Sequence, residues 1–477
     1  MNNSAEIPAV MLLGPEGQEA RAKAIARFGG LNQALAAGAL PKQVNITLSE
    51  VLVLGLLKQG VSKYLAIFGH GSTDLGEVLR VYTQAGVTQV FNFRNEVEMA
   101  HAGTALAWAW KEPCAVVTSI GPGALQAMAG SLAAACNGVG LYHIYGDETT
   151  WGEGYNMQQI PKQQQQLYGQ MTALMGQSYV LHTPEALRDA LRRGTQCVNH
   201  PVKPGPFYLL LPINTQPQVI NDLNLEALPE ALHGSRTAVA DMEMLQQAAQ
   251  ALRRHARIVF KVGGGGRPFP GPVRELAERC GASVVASPGS TGVLPDAHPQ
   301  YMHVGGSKGS ISGNHAMSNA TLLVAIGTRA VCQSDCSGVG YPMVEQVINI
   351  NADLSDLTHY NRTIALQGDI GAVVAQLISA LEGVPDQQAQ PRAAWLQGCI
   401  ASKAAWKSFL HERQSTPPLF DEVWQRPVLT QPVAIKVVCD FANAVHAIKF
   451  FDAGDVQANG FQTVEDDSPG QTYTESG

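Results

Sequence analysis

The stretch Phe91-Asn92-Phe93-Arg94-Asn95-Glu96-Val97-Glu98-Met99-Ala100-His101-Ala102-Gly103 holds the end of one element, a turn and the start of another. Residues 87–93 read as a short apolar strand, and from Asn95 the pattern changes to a helix over residues 96–110. Asn95 suits an N-cap, and Glu98, three residues on, completes a capping box, which gives Glu98 a structural role. Glu96 has no such role. It stands at a strand-to-helix junction, where open α/β sheets hold their ligands, and is therefore a candidate functional residue. His101 reads as a helix residue satisfied by its surroundings.

Working outward, the same alternation repeats. Toward the N-terminus, Thr47-Leu48-Ser49-Glu50 forms a capping box ahead of Val51, Leu52, Leu54 and Leu57 at helical spacing. A short apolar run at 64–68, the loop Gly69-His70-Gly71-Ser72 and a helix at 75–83 follow. Toward the C-terminus come a strand at 115–118, the loop Ser119-Ile120-Gly121-Pro122-Gly123, a small-residue helix at 124–136 and strands at 140–145 and 207–212. Short, fully apolar strands between helices predict an α/β fold with a doubly wound parallel sheet covered on both faces.

A second α/β unit runs over residues 242–381, with strands expected at 258–262, 283–286, 321–326 and 347–350. Residues 213–238, 385–390 and 416–432 read as linkers. A helix at 435–444 and a strand at 447–451 open a third unit that then dissolves into a polar tail. The Ala-rich segment 19–37 has helical propensity but weak patterning, and is expected to be an arm on the surface or on a partner subunit. The expected organisation is an extension (1–44), a first domain (45–215), a central domain (235–385) and the start of a third (425–477).

Composition narrows the function classes. At roughly 150 residues per domain, 477 residues suggest about three domains. Charged residues make up 15% of the chain, below the ~25% of typical soluble domains. The net charge of −7 offers no basic footprint, so neither nucleic acid nor an anionic membrane is an expected partner. Eight cysteines are thinly spread, and Cys332-x3-Cys336 reads as buried free thiols rather than a zinc site. Residues 113–146 carry no Asp, Glu, Lys or Arg, yet Ser119, Gly121-Pro122-Gly123, Gln126 and Asn137 interrupt them. That is a soluble core rather than a membrane span, and with no signal peptide recognised the expected location is cytoplasmic. Gly263-Gly264-Gly265-Gly266 does not satisfy the dinucleotide fingerprint and reads as a tight turn ahead of a ligand loop. A Walker A sequence is absent.

The combination of Asn95-Glu96, Ala100-His101-Ala102-Gly103 and Thr118-Ser119-Ile120-Gly121-Pro122-Gly123-Ala124 resembles the pyrimidine-binding domain of thiamine-diphosphate enzymes of the acetolactate synthase type. With Ala66-Ile67-Phe68-Gly69-His70-Gly71 it is closer still to the trihydroxycyclohexanedione hydrolases of inositol catabolism. Residues 287–299, Ala325-Ile326-Gly327-Thr328-Arg329 and Ile348-Asn349-Ile350-Asn351-Ala352-Asp353 resemble the central domain of that family. The likeness covers residues 45–460.

The resemblance implies thiamine diphosphate as cofactor. The glutamate matching Glu96 would hydrogen-bond the pyrimidine N1′ and favour the imino tautomer that removes the thiazolium C2 proton. The resulting carbanion would attack a substrate carbonyl while a C–C bond breaks or forms. Ser119, Gly121, Pro122 and Gly123 would then contact the cofactor, and His70 and Gly71 would face the substrate. The family holds Mg2+ and the diphosphate with Gly-Asp-Gly and a later Asn. Here Gly146-Asp147, Gly368-Asp369 and Gly454-Asp455 are followed by Glu, Ile and Val. No metal ligand is therefore expected in this chain, and the diphosphate-binding domain, which residues 451–457 resemble at its opening, is expected to be largely missing. FAD occurs in some relatives, but no residue singles it out.

The expected activity is cleavage or formation of a C–C bond next to a carbonyl, such as hydrolysis of a cyclic dione. An acetolactate-forming carboligase, a 2-keto-acid decarboxylase and a non-catalytic binding or regulatory protein are the alternatives. Shared active sites in the family imply a homodimer, a homotetramer or a separate diphosphate-domain subunit.

Overall fold

The computed structural model describes residues 8–151, 158–161, 166–231, 238–336, 339–383 and 385–474. The chain divides into two units, residues 1–234 and 235–476.

In the first unit the strands are β1 (Gln43–Thr47), β2 (Lys63–Ile67), β3 (Gln89–Asn92), β4 (Cys114–Thr118), β5 (Tyr142–Asp147), β6 (Gln177–Val180), β7 (Phe207–Pro212) and β8 (Val219–Asn224). The helices are α1 (Pro15–Phe28), α2 (Leu31–Ala36), α3 (Leu48–Lys58), α4 (Thr73–Gln84), α5 (Glu96–Ala109), α6 (Pro122–Gly130), α7 (Leu132–Asn137), α8 (Leu167–Met175) and α9 (Leu187–Val198). Among the described residues, six strands form one parallel sheet in the order β3-β2-β4-β5-β7-β6. Strand periodicity sends Tyr64, Ala66, Val117, Ile144 and Leu209 into one apolar layer. Leu65, Val116, Tyr145 and Leu210 go into the other. Helices therefore cover both faces, as the apolar strands require.

Four expectations for this unit change. The Ala-rich segment is no peripheral arm: Ala22, Ile25, Leu31, Ala34 and Leu35 belong to the core. Arg21, fully buried on α1, donates twice to Glu50, each bond 2.7 Å, and also donates to the carbonyls of Val10 and Leu12. Tyr82 adds a hydrogen bond to Glu50 Oε1 at 2.9 Å. Thr47 does cap α3, but Glu50 is spent on Arg21 and Tyr82, so the expected capping box is not closed. The supposed linker at 213–238 contains β8, which pairs antiparallel with β1. The expected single helix at 124–136 is split at Ser131, whose hydroxyl bonds Met128 O and Tyr208 Oη.

The second unit begins with α10 (Met242–Arg254), β9 (Ile258–Val262), α11 (Pro270–Cys280), β10 (Ser283–Ala286), β11 (Tyr301–Val304), α12 (Ile311–Asn319) and β12 (Leu322–Ile326). It continues through α13 (Cys332–Asp335), β13 (Gln346–Asn351), β14 (Thr363–Gln367), α14 (Ile370–Ala380) and the long α15 (Ala389–Gln414). Among the described residues its sheet is also six-stranded and parallel, in the order β11-β10-β9-β12-β13-β14. The segment read as a Pro/Gln-rich linker forms a small hairpin, β15 (Leu419–Asp421) with β16 (Arg426–Val428).

Then come α16 (Gln431–Ala444), β17 (Lys449–Phe451), α17 (Asp455–Thr463) and β18 (Thr472–Thr474), with β17 and β18 parallel. Ala458 and Phe461 of α17 join the apolar core of this unit. None of the eight cysteines forms a disulfide; Cys332 is exposed and Cys336 half-buried, so this pair is not the buried one expected. Among the described residues, no helix is long and apolar enough to cross a membrane.

Candidate functional site

In the first sheet the chain steps from β2 outward to β3, then crosses back so that β4 pairs on the other side of β2. Such a reversal leaves a crevice at the carboxyl ends of the two strands. The loops that rim it are residues 68–72 after β2 and residues 119–121 after β4, while Glu96 opens α5 just after β3.

Local chemistry fixes each piece. Asn95 caps α5, its Oδ1 accepting from Val97 N at 2.8 Å and Glu98 N at 3.2 Å. Among the described residues Glu98 returns no bond to Asn95 N, so the cap is one-sided and Glu98 is exposed. Capping places Glu96 at the first helical position, with its half-buried carboxylate over the loop after β4. A Cβ built on Gly123 would lie 2.8 Å from Ser119 Oγ and 3.2 Å from Glu96 Oε1. Only a glycine leaves that space open. Gly121 has φ +74°, a backbone region that disfavours other residues, and Pro122 starts α6 with its fixed φ.

The loop after β2 closes against the same place. Ile120 N donates to His70 O at 3.0 Å, and a Cβ on Gly69 would sit 3.0 Å from Ser119 Cβ. Ser72 ties this loop back to Gly69, and Gly71, at φ +85°, lies against Gly146. Thus Glu96, Ser119, Gly121, Pro122 and Gly123 gather at one crevice, and Gly71 supports it from below. His70 also lies on the rim; its imidazole is on an exposed residue. His101 is exposed on α5 rather than satisfied within the fold. Among the described residues no hydrogen bond or ion pair engages the Glu96 carboxylate.

Two further residues had gone unnoticed. Gln159 packs over Gly121, where an added Cβ would come within 2.8 Å of Gln159 Cβ, and Tyr168 Oη holds it by donating to Gln159 O at 2.7 Å. Asp147 ends β5, is 2% exposed, and burial together with the neighbouring Glu148 charge raises its carboxyl to about 7, against a bond from Glu148 N that lowers it. The signal was present in the sequence: Asp147 and Glu148 are the first charged residues after the uncharged stretch 113–146. Among the described residues no three His, Cys, Asp or Glu side chains gather as a metal site.

Comparison with known families agrees with this geometry. Residues 46–167 match the thiamine pyrophosphate enzyme N-terminal TPP binding domain, and residues 245–377 match the thiamine pyrophosphate enzyme central domain. The chain belongs to the thiamine pyrophosphate enzymes, of which it carries these two domains. That pairing implies thiamine diphosphate as the cofactor.

Among curated relatives, the Escherichia coli acetolactate synthase isozyme 1 large subunit is 25% identical over 76% of this chain and 61% of its own length. A trihydroxycyclohexane-1,2-dione hydrolase of Listeria monocytogenes is 24% identical over 82% of this chain and 64% of its own. The 2-hydroxyacyl-CoA lyase 1 of Dictyostelium discoideum is 25% identical over 76% and 62%. The chain thus spans under two thirds of the length of these relatives.

The residues at the crevice fit the aminopyrimidine end of thiamine diphosphate. Glu96 offers a carboxyl with no other partner, and Gly123 leaves the space beside it that a side chain would fill.

Proposed function

We propose that this chain provides the pyrimidine side of a thiamine-diphosphate site that cleaves or forms a C–C bond next to a carbonyl. The observation that carries this reading is the convergence of Glu96 Oε1 and Ser119 Oγ on the bare face of Gly123. When bound, the cofactor supplies a nucleophilic carbon and an electron sink. Glu96 holds or shares a proton at a ring nitrogen, Gly121 and Gly123 admit the flat ring, and the loop carrying His70 borders the substrate side. Magnesium and diphosphate contacts come from a diphosphate-binding domain outside the two family domains matched here, supplied by a separate subunit of the assembly.

Hydrolysis of a cyclic dione is the favoured reaction, supported by the likeness of residues 66–71 and by a hydrolase among the relatives. Carboligation of pyruvate is the second reading, supported by the acetolactate synthase relative. Product analysis with thiamine diphosphate and Mg2+ separates them: a ring-opened acid is expected from the dione and acetolactate only under the second reading. Calorimetry adds a check without turnover. Thiamine diphosphate should bind the chain and lose affinity in Glu96→Ala; failure to bind, or equal binding by both, contradicts the proposed site.

A further inference from the structure

The first unit also holds a cavity of about 160 Å3 at the carboxyl end of β5, lined by Asp147, Glu148, Thr149, Gln166, His182 and their neighbours. Glu148 is 8% exposed; its Oε1 accepts from Gln166 N at 2.5 Å, while its Oε2 is buried without a hydrogen-bond partner. Asp147 Oδ1 accepts from Glu148 N at 2.9 Å.

Two of the polar groups around the cavity are engaged with other partners. Thr149 Oγ1 donates to Trp151 O, and Gln166 Nε2 and His182 Nε2 lie 3.2 Å apart in a bond to each other. Among the described residues that line it there is no lysine or arginine. A buried carboxylate oxygen with neither a donor nor a cation is costly, so the site lacks something that carries both.

We propose that this cavity binds a small ammonium-bearing ligand, with Glu148 Oε2 and the second oxygen of Asp147 as its acceptors. An ammonium group brings three N–H donors and a positive charge, whereas a hydroxyl brings one donor and no charge. A divalent metal brings no N–H donor, and among the described residues no third His, Cys, Asp or Glu joins the two carboxylates. The volume equals about five waters at ~30 Å3 each, enough for an amine of a few heavy atoms. The raised carboxyl of Asp147 fits a site without its cation, and a bound ammonium would bring it down again. This inference stands apart from the thiamine reading and uses none of its residues.

The test uses the full chain and methylammonium as probe, read by saturation-transfer NMR and by thermal unfolding. Saturable binding is expected, with a rise in melting temperature. Glu148→Gln and Asp147→Asn should each weaken binding by about tenfold or more, the loss of one charge-assisted hydrogen bond. Tetramethylammonium, which has no N–H, and potassium should not displace the probe. Absence of saturable binding to the native chain overturns the proposal, as does unchanged affinity in a Glu148→Gln variant that melts like the native chain. If that variant does not fold, competition on the native chain decides: displacement by potassium or tetramethylammonium at equal concentration would mean general charge attraction only.

Discussion

Both six-stranded sheets reverse direction beside the strand that comes first in the chain, between β2 and β4 in the first unit and between β9 and β12 in the second. In the first unit, side chains and a bare glycine face meet at the reversal. In the second, the backbone fills it. Gly263 N donates to Ile326 O at 2.8 Å and Gly265 N to Gly327 O at 3.0 Å, while a Cβ on Gly263 would lie 2.4 Å from Gly327 O. The glycines at 263–266 are therefore a turn that seals the crevice, as the first of their two sequence readings had it. A shared topology sets where a ligand could go, and the residues at the loop ends decide whether one can.

Substitutions at these glycines separate the two crevices. Gly263→Ala meets carbonyl oxygen and Cα atoms that cannot swing away, and Gly327→Ala adds a φ of +56° with a Cβ 2.5 Å from Gly266 N. Each should cost about 3 kcal/mol or more, measured by urea unfolding. Gly123→Ala meets two side-chain oxygens, which can move, and Thr118 Cβ only at an ordinary contact distance of 3.5 Å. Its stability cost should be about 1 kcal/mol, while thiamine diphosphate binding suffers far more because the Glu96 carboxylate must leave its place. A large stability loss at Gly123 with binding retained would break the comparison.

The buried carboxyl of Asp147 gives a pH signature to the first unit. Its folded value of about 7 lies above the ordinary 3.8, so as pH rises through this window the unfolded chain gives up its proton first. Stability should therefore fall as pH rises toward 7, and Asp147→Asn should flatten that slope in pH-dependent thermal melts. The smallest effects belong to the cap of α5. Asn95→Ala should cost about 1 kcal/mol, since Oδ1 satisfies two amides. Glu98→Gln should cost roughly 0.5 kcal/mol, through the helix dipole alone.

Much of this architecture is visible in the chain itself, and the omissions share a cause. The strands read correctly, such as β4, β7, β9 and β12, are central and wholly buried, so they are continuous apolar runs. The parallel strands not foreseen, β6, β11 and β14, are all at sheet edges. Gln177 and Gln367 are exposed there, which weakens the apolar pattern, whereas β11 is buried throughout and it is His303 that interrupts its apolar run. The segment 19–37 was misread because alanines weigh little in a hydrophobic pattern and Arg21 interrupts it, although Glu50 neutralises that arginine across the core. At the crevice, Glu96 stands out because its neighbour Glu98 invites a structural account and Glu96 does not. Gln159 and Asp147 are brought there, or close by, only through the folding of distant loops.

The most direct test follows C2 hydrogen–deuterium exchange of thiamine diphosphate with Mg2+ by NMR, in the native chain and in Glu96→Gln, each assembled with a diphosphate-binding domain. The native chain should accelerate exchange over free cofactor, and Glu96→Gln, folded by circular dichroism, should return it to the free rate. Equal exchange in both proteins would contradict the role assigned to Glu96.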